Sequence, residues 1–362
     1  MAWGVPPAAL ARLFDKFFRH GGTHTEVFVA MHNTVRTEIH TPLDSIFHWN
    51  YDVQLPMIDR LYENAKRDQW NATTQLDWNK PIEREVLDMT QMPMFQTELY
   101  KSLSDDKKEQ LARKFAAWRL SQFLHGEQGA LMVCGQLVDA VPDLDSKMCA
   151  AAQVMDEARH VEVFRKYIQK LDKIYPIDPT LARLLTGIME QDSWEPKYVG
   201  MQLIAEGLAI AAFRFMQHES KDALLKEMLE YVIKDESRHV GFGVLALRDG
   251  IKKLAPKERI ELEDFCFTAC DMMVTKVEDG VPRDGFLSGM SVFEEVGIST
   301  SDIEEEVKKN PAWAEAEADM EKKFNSFLFV DTIIPNLKNL GLMNERTEPR
   351  YRDLGVLEMY AG

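Results

Sequence analysis

From Asp105 onward, apolar residues return every three to four positions, the spacing that lines one face of an α-helix. A charged start at Asp105 leads into "FAAWRLSQFLHGEQGALMVCGQLV" and predicts a helix to about Val138, with Pro142 just past its end. A second helix is expected from about Asp143 to Leu171, stopping before "YPIDP", and a short one near Leu181 to Gln191. "SWEPKYVGMQLIAEGLAIAAFRFMQHE" reads as a third long helix capped by Ser193, and a fourth spans roughly Asp222 to Leu254, ending before "APKE". About 100 residues of N-terminal helices and loops precede this set. The C-terminal third is also mostly helical, including "AWAEAEADMEKKFNSFLFVDTII", and "DGVPRDGFLSG" (Asp279 to Gly289) is the clearest loop. No run alternates apolar and polar residues between hairpin turns, and no low-complexity linker divides the chain. The expected architecture is therefore one all-α domain over 1–362. Residues 105–255 form a four-helix core, and 1–104 and 256–362 are helical extensions.

Within those helices a motif occurs twice. "MDEARHVEVF" begins at Met155 and "KDESRHVGFG" at Lys234. In each copy Glu and His stand three apart (Glu157 and His160, Glu236 and His239), so each pair shares a helix face and can chelate one metal ion. A chain of this length should hold on the order of one Glu-x-x-His by chance, so one copy is weak evidence. Two copies in the same Asp-Glu-x-Arg-His frame are not. Two further acids lie alone in apolar helix: Glu127 has no acidic neighbour between Gln110 and Asp139, and Glu206 is the lone acid of "YVGMQLIAEGLAIAAFRFM". Burying a carboxylate costs several kcal/mol unless a proton, cation or metal meets it. Glu127 precedes Glu157 by thirty residues, and Glu206 precedes Glu236 by the same interval. A Glu from each of two helices with a Glu-x-x-His from each of two others is the constellation of di-iron and di-manganese bundles. Four carboxylates and two neutral imidazoles balance two divalent cations, and O/N ligands without thiolate suit iron or manganese better than a closed zinc site. Asp156 and Asp235, each one residue before a ligand Glu, are placed to reach the facing histidines, Asp156 to His239 and Asp235 to His160. Arg159 and Arg238 can neutralise them.

Composition narrows the function. A net charge of −16 over 362 residues argues against a nucleic-acid surface and against anionic membranes. No signal-peptide pattern opens the chain, and no uninterrupted apolar run reaches the roughly 20 residues that span a bilayer. Four cysteines make no disulfide framework, Cys266 and Cys270 are expected to be core thiols, and the default location is cytoplasmic. His20, His24, His32, His40, His48, His125 and His218 lack metal-like spacing and are assigned structural or exposed roles.

"DEARH" and "DESRH" with Glu127 and Glu206 resemble the ferritin-like, ribonucleotide-reductase-like di-iron proteins. In motif they are close to the bacterial multicomponent monooxygenase hydroxylases and related di-iron oxygenases. The resemblance covers about 105 to 255; "LYENAKRDQWN" near Trp70 is more weakly similar. It implies a ferritin-like bundle that activates O₂ at two irons, with a manganese–iron pair as the variant, often in a homodimer. The sequence departs from individual branches. Phe164 stands where common ribonucleotide reductase subunits carry a radical tyrosine, and Ile210 where methane and toluene hydroxylases carry a threonine. Val232 stands where para-aminobenzoate N-oxygenases carry an extra histidine, which argues against amine N-oxygenation of that type. The expected activity is oxidation of a small apolar or aromatic molecule. Its pocket is expected one turn from the ligands, at Phe123, Gly126, Ala130, Phe164, Ile210 and Phe213. No nucleotide loop or iron–sulfur cysteine set is visible, so electrons are expected from a separate reductase or ferredoxin. The alternatives are a radical-generating subunit, docking through "YRDLGVLEMYAG", and an iron-oxidising, iron-storing protein.

Overall fold

The computed structural model describes residues 38–89, 93–274, 277–278, 281–282, 285–309, 319, 322 and 325–357. His20, His24 and His32, most of "AWAEAEADMEKKF" and the last five residues of the C-terminal tail lie outside the described residues. Helices in chain order are α1 (Pro56–Arg67), α2 (Glu98–Ser102), α3 (Asp105–Ala140), α4 (Leu144–Leu171), α5 (Pro179–Met189), α6 (Trp194–Tyr198), α7 (Glu206–Glu219), α8 (Ala223–Lys253) and α9 (Pro256–Val274). After them come α10 (Gly285–Glu294), α11 (Thr300–Lys309), α12 (Ile334–Asn339) and α13 (Glu348–Asp353). The core consists of α3, α4, α7 and α8, and the fold is all-α, a ferritin-like bundle.

Local chemistry sets the ends of these rods. The Ser104 side chain accepts from Lys107 N, and Asp105 and Asp106 follow in the first turn, where the helix dipole favours negative charge. Asp143 caps α4 through Ser146 N (2.7 Å), and Asp222 caps α8 through Leu225 N (2.8 Å). Each such cap is worth about 1 kcal/mol. The chain before α1 is tied to the bundle by Asp145, whose Oδ2 accepts from Gln54 N (2.7 Å) and Leu55 N (2.6 Å).

The third long helix is not one regular rod. Between α6 and α7 the residues Val199–Ala205 form a π-helical stretch, and the N–H of Glu206 bonds Met201 O, five residues back. Ser193 stands at the cap position with extended backbone, but its side chain makes no capping bond. A second π-helical stretch, Ser326–Ile333, packs against this region; a Cβ on Gly207 would lie 3.1 Å from Thr332 Cγ2, so this close approach calls for glycine beside Glu206. The segment expected as a loop is partly regular. Val277–Glu278 and Val281–Pro282 pair as a short antiparallel ladder (Val277 with Pro282), and Gly285 opens α10.

Trp194–Glu219 is long and apolar enough to span a membrane by length and composition, although Lys197, Glu206 and Arg214 interrupt its apolar run. Two thirds of that window (67%) is buried, because the stretch is a central helix of the bundle whose neighbours, not lipid, cover it. The apolar interior falls into two clusters. One gathers Val133, Leu137, Tyr198, Leu203, Phe242 and Phe265; the other gathers Leu120, Phe164, Phe213, Met216 and Leu229. A layer of buried charged side chains lies between them.

Candidate metal centre

That layer contains all six residues singled out by the repeat. Each of Glu127, Glu157, His160, Glu206, Glu236 and His239 is at most 4% exposed. Their ligand atoms form two overlapping groups within 4.8 Å: Glu127, Glu157, His160 and Glu236, and Glu157, Glu206, Glu236 and His239. Glu157 and Glu236 belong to both. His160 Nδ1 lies 3.3 Å from Glu127 Oε2, 3.2 Å from Glu157 Oε2 and 2.9 Å from Glu236 Oε1. His239 Nδ1 lies 2.7 Å from Glu236 Oε2 and 3.1 Å from Glu157 Oε1. The arrangement follows from the spacing: i and i+3 on α4 and α8 face inward together, while one Glu comes from α3 and one from the first turn of α7.

So much unbalanced charge in a dry layer distorts every titration. Burial, and next the charge of Glu236, pushes Glu127 and Glu206 well above the usual carboxylate range. Glu236 goes the other way: burial opposes ionisation, but His239 and His160 together hold it well below. Burial likewise disfavours imidazolium, yet Glu236 and Glu127 raise His160 well above its ordinary value. Glu157 and Glu236 raise His239 to about 10. Protons thus hold the places that cations would take.

The flanking pairs cross between helices. His160 Nε2 donates to Asp235 Oδ2 (3.2 Å) and His239 Nε2 to Asp156 Oδ2 (3.3 Å), which leaves both Nδ1 atoms facing the carboxylates. Arg159 donates to Asp156 Oδ1 and, at 3.2 Å, to Asp235 Oδ2; Arg238 donates to Asp156 Oδ2 (3.1 Å) and Asp235 Oδ1 (2.5 Å). Burial works against ionising both aspartates, but hydrogen bonds from His239 to Asp156 and from His160 to Asp235 hold them below the usual range.

Four residues of this network escaped the sequence reading. Trp70 Nε1 donates to Asp235 Oδ2 (2.7 Å), with Arg159 Cζ 4.8 Å from the indole ring centroid and Tyr231 stacked on it at 4.9 Å. Gln69 Nε2 donates to Asp156 Oδ1 (3.0 Å), and Gln69 Oε1 accepts from Arg159 Nη1 (2.7 Å). On the inner side, Gln153 Nε2 donates to Glu157 Oε1 (2.8 Å) and Glu206 Oε1 (3.2 Å), and pairs with Gln202. Both glutamines sit four residues before a Glu of the motif, a spacing that could have flagged them.

The expected pocket residues divide. Phe123, Phe164 and Phe213 meet one another, with centroids 4.8 to 5.9 Å apart. Ile210 is buried, and a Cβ on Gly126 would meet nothing within 4 Å. Ala130 belongs to the other apolar cluster, as α3 runs away from the phenylalanines after Glu127. His125 Nε2 meets Tyr175 O (2.9 Å), and the four cysteines are buried and unpaired.

The donor set fits a pair of divalent ions. It is all oxygen and nitrogen, the two groups share two carboxylates, and buried Glu236 Oε1 has no well-aligned hydrogen bond beside its 2.9 Å contact with His160 Nδ1. A ferritin-like bundle with this centre defines the di-iron carboxylate oxidoreductases. The family model of P-aminobenzoate N-oxygenase AurF matches residues 54–328, and the chain belongs to that family. It is a non-haem di-iron, O₂-activating enzyme acting on a small organic molecule. Among solved structures, it is similar to an R2-like ligand-binding oxidase with an aerobically reconstituted Mn/Fe cofactor at 17% identity, over 81% of this chain and 96% of that one, TM-score 0.43. An anaerobically reconstituted form is similar at 19% identity, over 76% and 93%, TM-score 0.45. No curated protein matches the chain.

Proposed function

We propose that Glu127 and His160 hold one iron, Glu206 and His239 the other, and Glu157 and Glu236 bridge them. The observation that carries this is the overlap of the two ligand groups in those two carboxylates. The enzyme then transfers oxygen to a small aromatic molecule. Val232 argues against amine N-oxygenation, but the family match outweighs it and favours an arylamine nitrogen as the acceptor, since the family's activity is named for one. Val232, fully buried among apolar residues, stands where the sequence resemblance implies a further histidine, so this chain works with the six ligands alone.

The bound pair supplies the redox chemistry. The chain's residues do the rest. The two apolar clusters keep water from the layer, and Asp156 and Asp235 fix the imidazoles with Nδ1 inward. Phe123, Phe164 and Phe213 offer an apolar wall for an aromatic ring. Phe164 leaves no tyrosine at that position to hold a radical, which supports substrate oxidation over radical supply.

Three further readings belong to this proposal. The protein is a homodimer, supported by the exposed row Phe47, Trp49, Tyr51, Val53 and Met57 beside the bundle. Electrons come from a separate reductase or ferredoxin with a basic face, which the net charge of −16 favours. The location is cytoplasmic, in keeping with four free buried thiols. The test is anaerobic iron titration, followed by an ¹⁸O₂ pulse with a panel of arylamines and plain arenes. Two irons per chain and label on the arylamine nitrogen are expected. Uptake of many irons per chain, or product without label, overturns the reading.

A further inference from the structure

Resting on that reading, we infer that the Gln153–Gln202 amide pair makes the two metal positions unequal, holding the Glu206 carboxylate of one position by an amide that the Glu127 carboxylate of the other lacks. The pair is reciprocal. Gln153 Nε2 donates to Gln202 Oε1 (3.0 Å), and Gln202 Nε2 donates to Gln153 Oε1 (2.8 Å). Gln153 and Gln202 are 2% and 0% exposed. Their orientation is fixed by what surrounds them. Carboxylates that bind metal only accept, so the NH₂ of Gln153 faces Glu157 and Glu206. The NH₂ of Gln202 turns to Gln153 Oε1 and, at 3.7 Å, Cys134 Sγ.

The pair is seated by backbone design. A Cβ on Gly243 would lie 2.4 Å from Gln202 Cβ, so α8 approaches Gln202 only because residue 243 is glycine. Gln202 itself lies in the π-helical stretch, and the N–H of Glu206 closes that stretch by bonding Met201 O. Widened turns of this kind recur at functional sites.

Aligning the two copies of the repeat shows what the other position lacks. Val232 corresponds to Gln153, Phe123 to Gln202, Phe213 to Cys134 and Phe164 to Gly243. Among the described residues the hydrogen bond to the Glu127 carboxylate comes from His160 Nδ1; no amide reaches it. Before metal arrives, the Gln153 amide spans Glu157 and Glu206, so their oxygens already face the ion's place. At the other position the Glu127 carboxylate is met by His160 Nδ1 and by no amide, so less of its orientation is set in advance. The Glu206/His239 position would therefore hold the first ion more tightly than the Glu127/His160 position.

Gln153 and Gln202 are positioning residues, and the test reads metal binding rather than turnover. Anaerobic Fe(II) and Co(II) titrations against a chelator, with Mössbauer spectra of the ⁵⁷Fe-loaded protein, are compared for wild type, Gln153→Leu and Gln202→Met. Circular dichroism confirms the fold of each. Wild type is expected to show two distinct affinities and two quadrupole doublets. Gln153→Leu should weaken the tighter affinity by about 10- to 100-fold and shift one doublet. Gln202→Met, which keeps the Gln153 donor but frees it, should give a smaller shift of the same doublet. Wild-type affinities in both variants, or equal loss at both positions, overturn the inference. A wild-type protein that holds no pair of ions would instead overturn the proposed centre beneath it.

Discussion

The repeat makes the metal layer nearly symmetric, and the two ends of the bundle are where the symmetry fails. One end presents Phe123, Phe164 and Phe213 in mutual edge and tilted contacts, with Val232 buried beside them. The corresponding places at the other end hold Gln202, Gly243, Cys134 and Gln153. The same six candidate ligands thus stand between an apolar wall and a hydrogen-bonded cradle. Identical first contacts need not give identical ions; what lies one turn further along each rod decides how freely a carboxylate moves.

The comparison can be broken from its centre outward. The largest effect is expected from Glu206→Ala. That variant should bind about one ion per chain and lose oxygen reactivity while keeping its helical signal, as metal analysis and circular dichroism would show. Next comes packing at the two ends. Phe164→Ala opens a cavity at the aromatic end and should lower stability by about 3–5 kcal/mol. Gly243→Ala collides with Gln202 at the other end and should lower it by about 1–3 kcal/mol. Denaturant unfolding measures both, and only Gly243→Ala should disturb the tighter metal affinity. Trp70→Phe removes the donor to Asp235. It should weaken metal binding at His160 by about tenfold, since Asp235 then aims that imidazole less firmly. The smallest effect is in pH. Glu127, Glu206 and both histidines are raised, so metal-free protein binds more protons than loaded protein. Loading should release protons, and the apparent affinity should fall as pH falls. Calorimetric titration in buffers of different ionisation heat reads the proton count; zero release would contradict the raised values.

The six inward side chains and the crossed Asp–His pairs were legible because each lies within a turn of its neighbours and the motif occurs twice. Helix starts near Asp105, Asp143 and Asp222 were readable from charge and periodicity, and Ser104, Asp143 and Asp222 cap them. Ser193, the one cap read from sequence, makes no capping bond. The widened turn at Val199–Ala205 left no mark in the periodicity, since one extra residue per turn arises from packing against Ser326–Ile333 and α8. Ala130 packs in the other apolar cluster from the phenylalanines, since spacing gives the face of a helix but not which end of the layer a residue lies toward. Trp70 and Gln69 could be noticed as a similar stretch of sequence, but their partners are 165 and 87 residues away, a distance no local pattern spans.

Those two contacts bear on how the molecule can be divided. A fragment begun at Asp105 would retain every inward-facing carboxylate and imidazole, and by composition would still be a four-rod bundle. It would nevertheless strip Asp235 of its indole donor and Asp156 of its amide, loosening the struts that aim both rings. The flanking strand of chain after α1 is therefore a working part of the catalytic apparatus, and no cut at the bundle's edge would yield a faithful miniature.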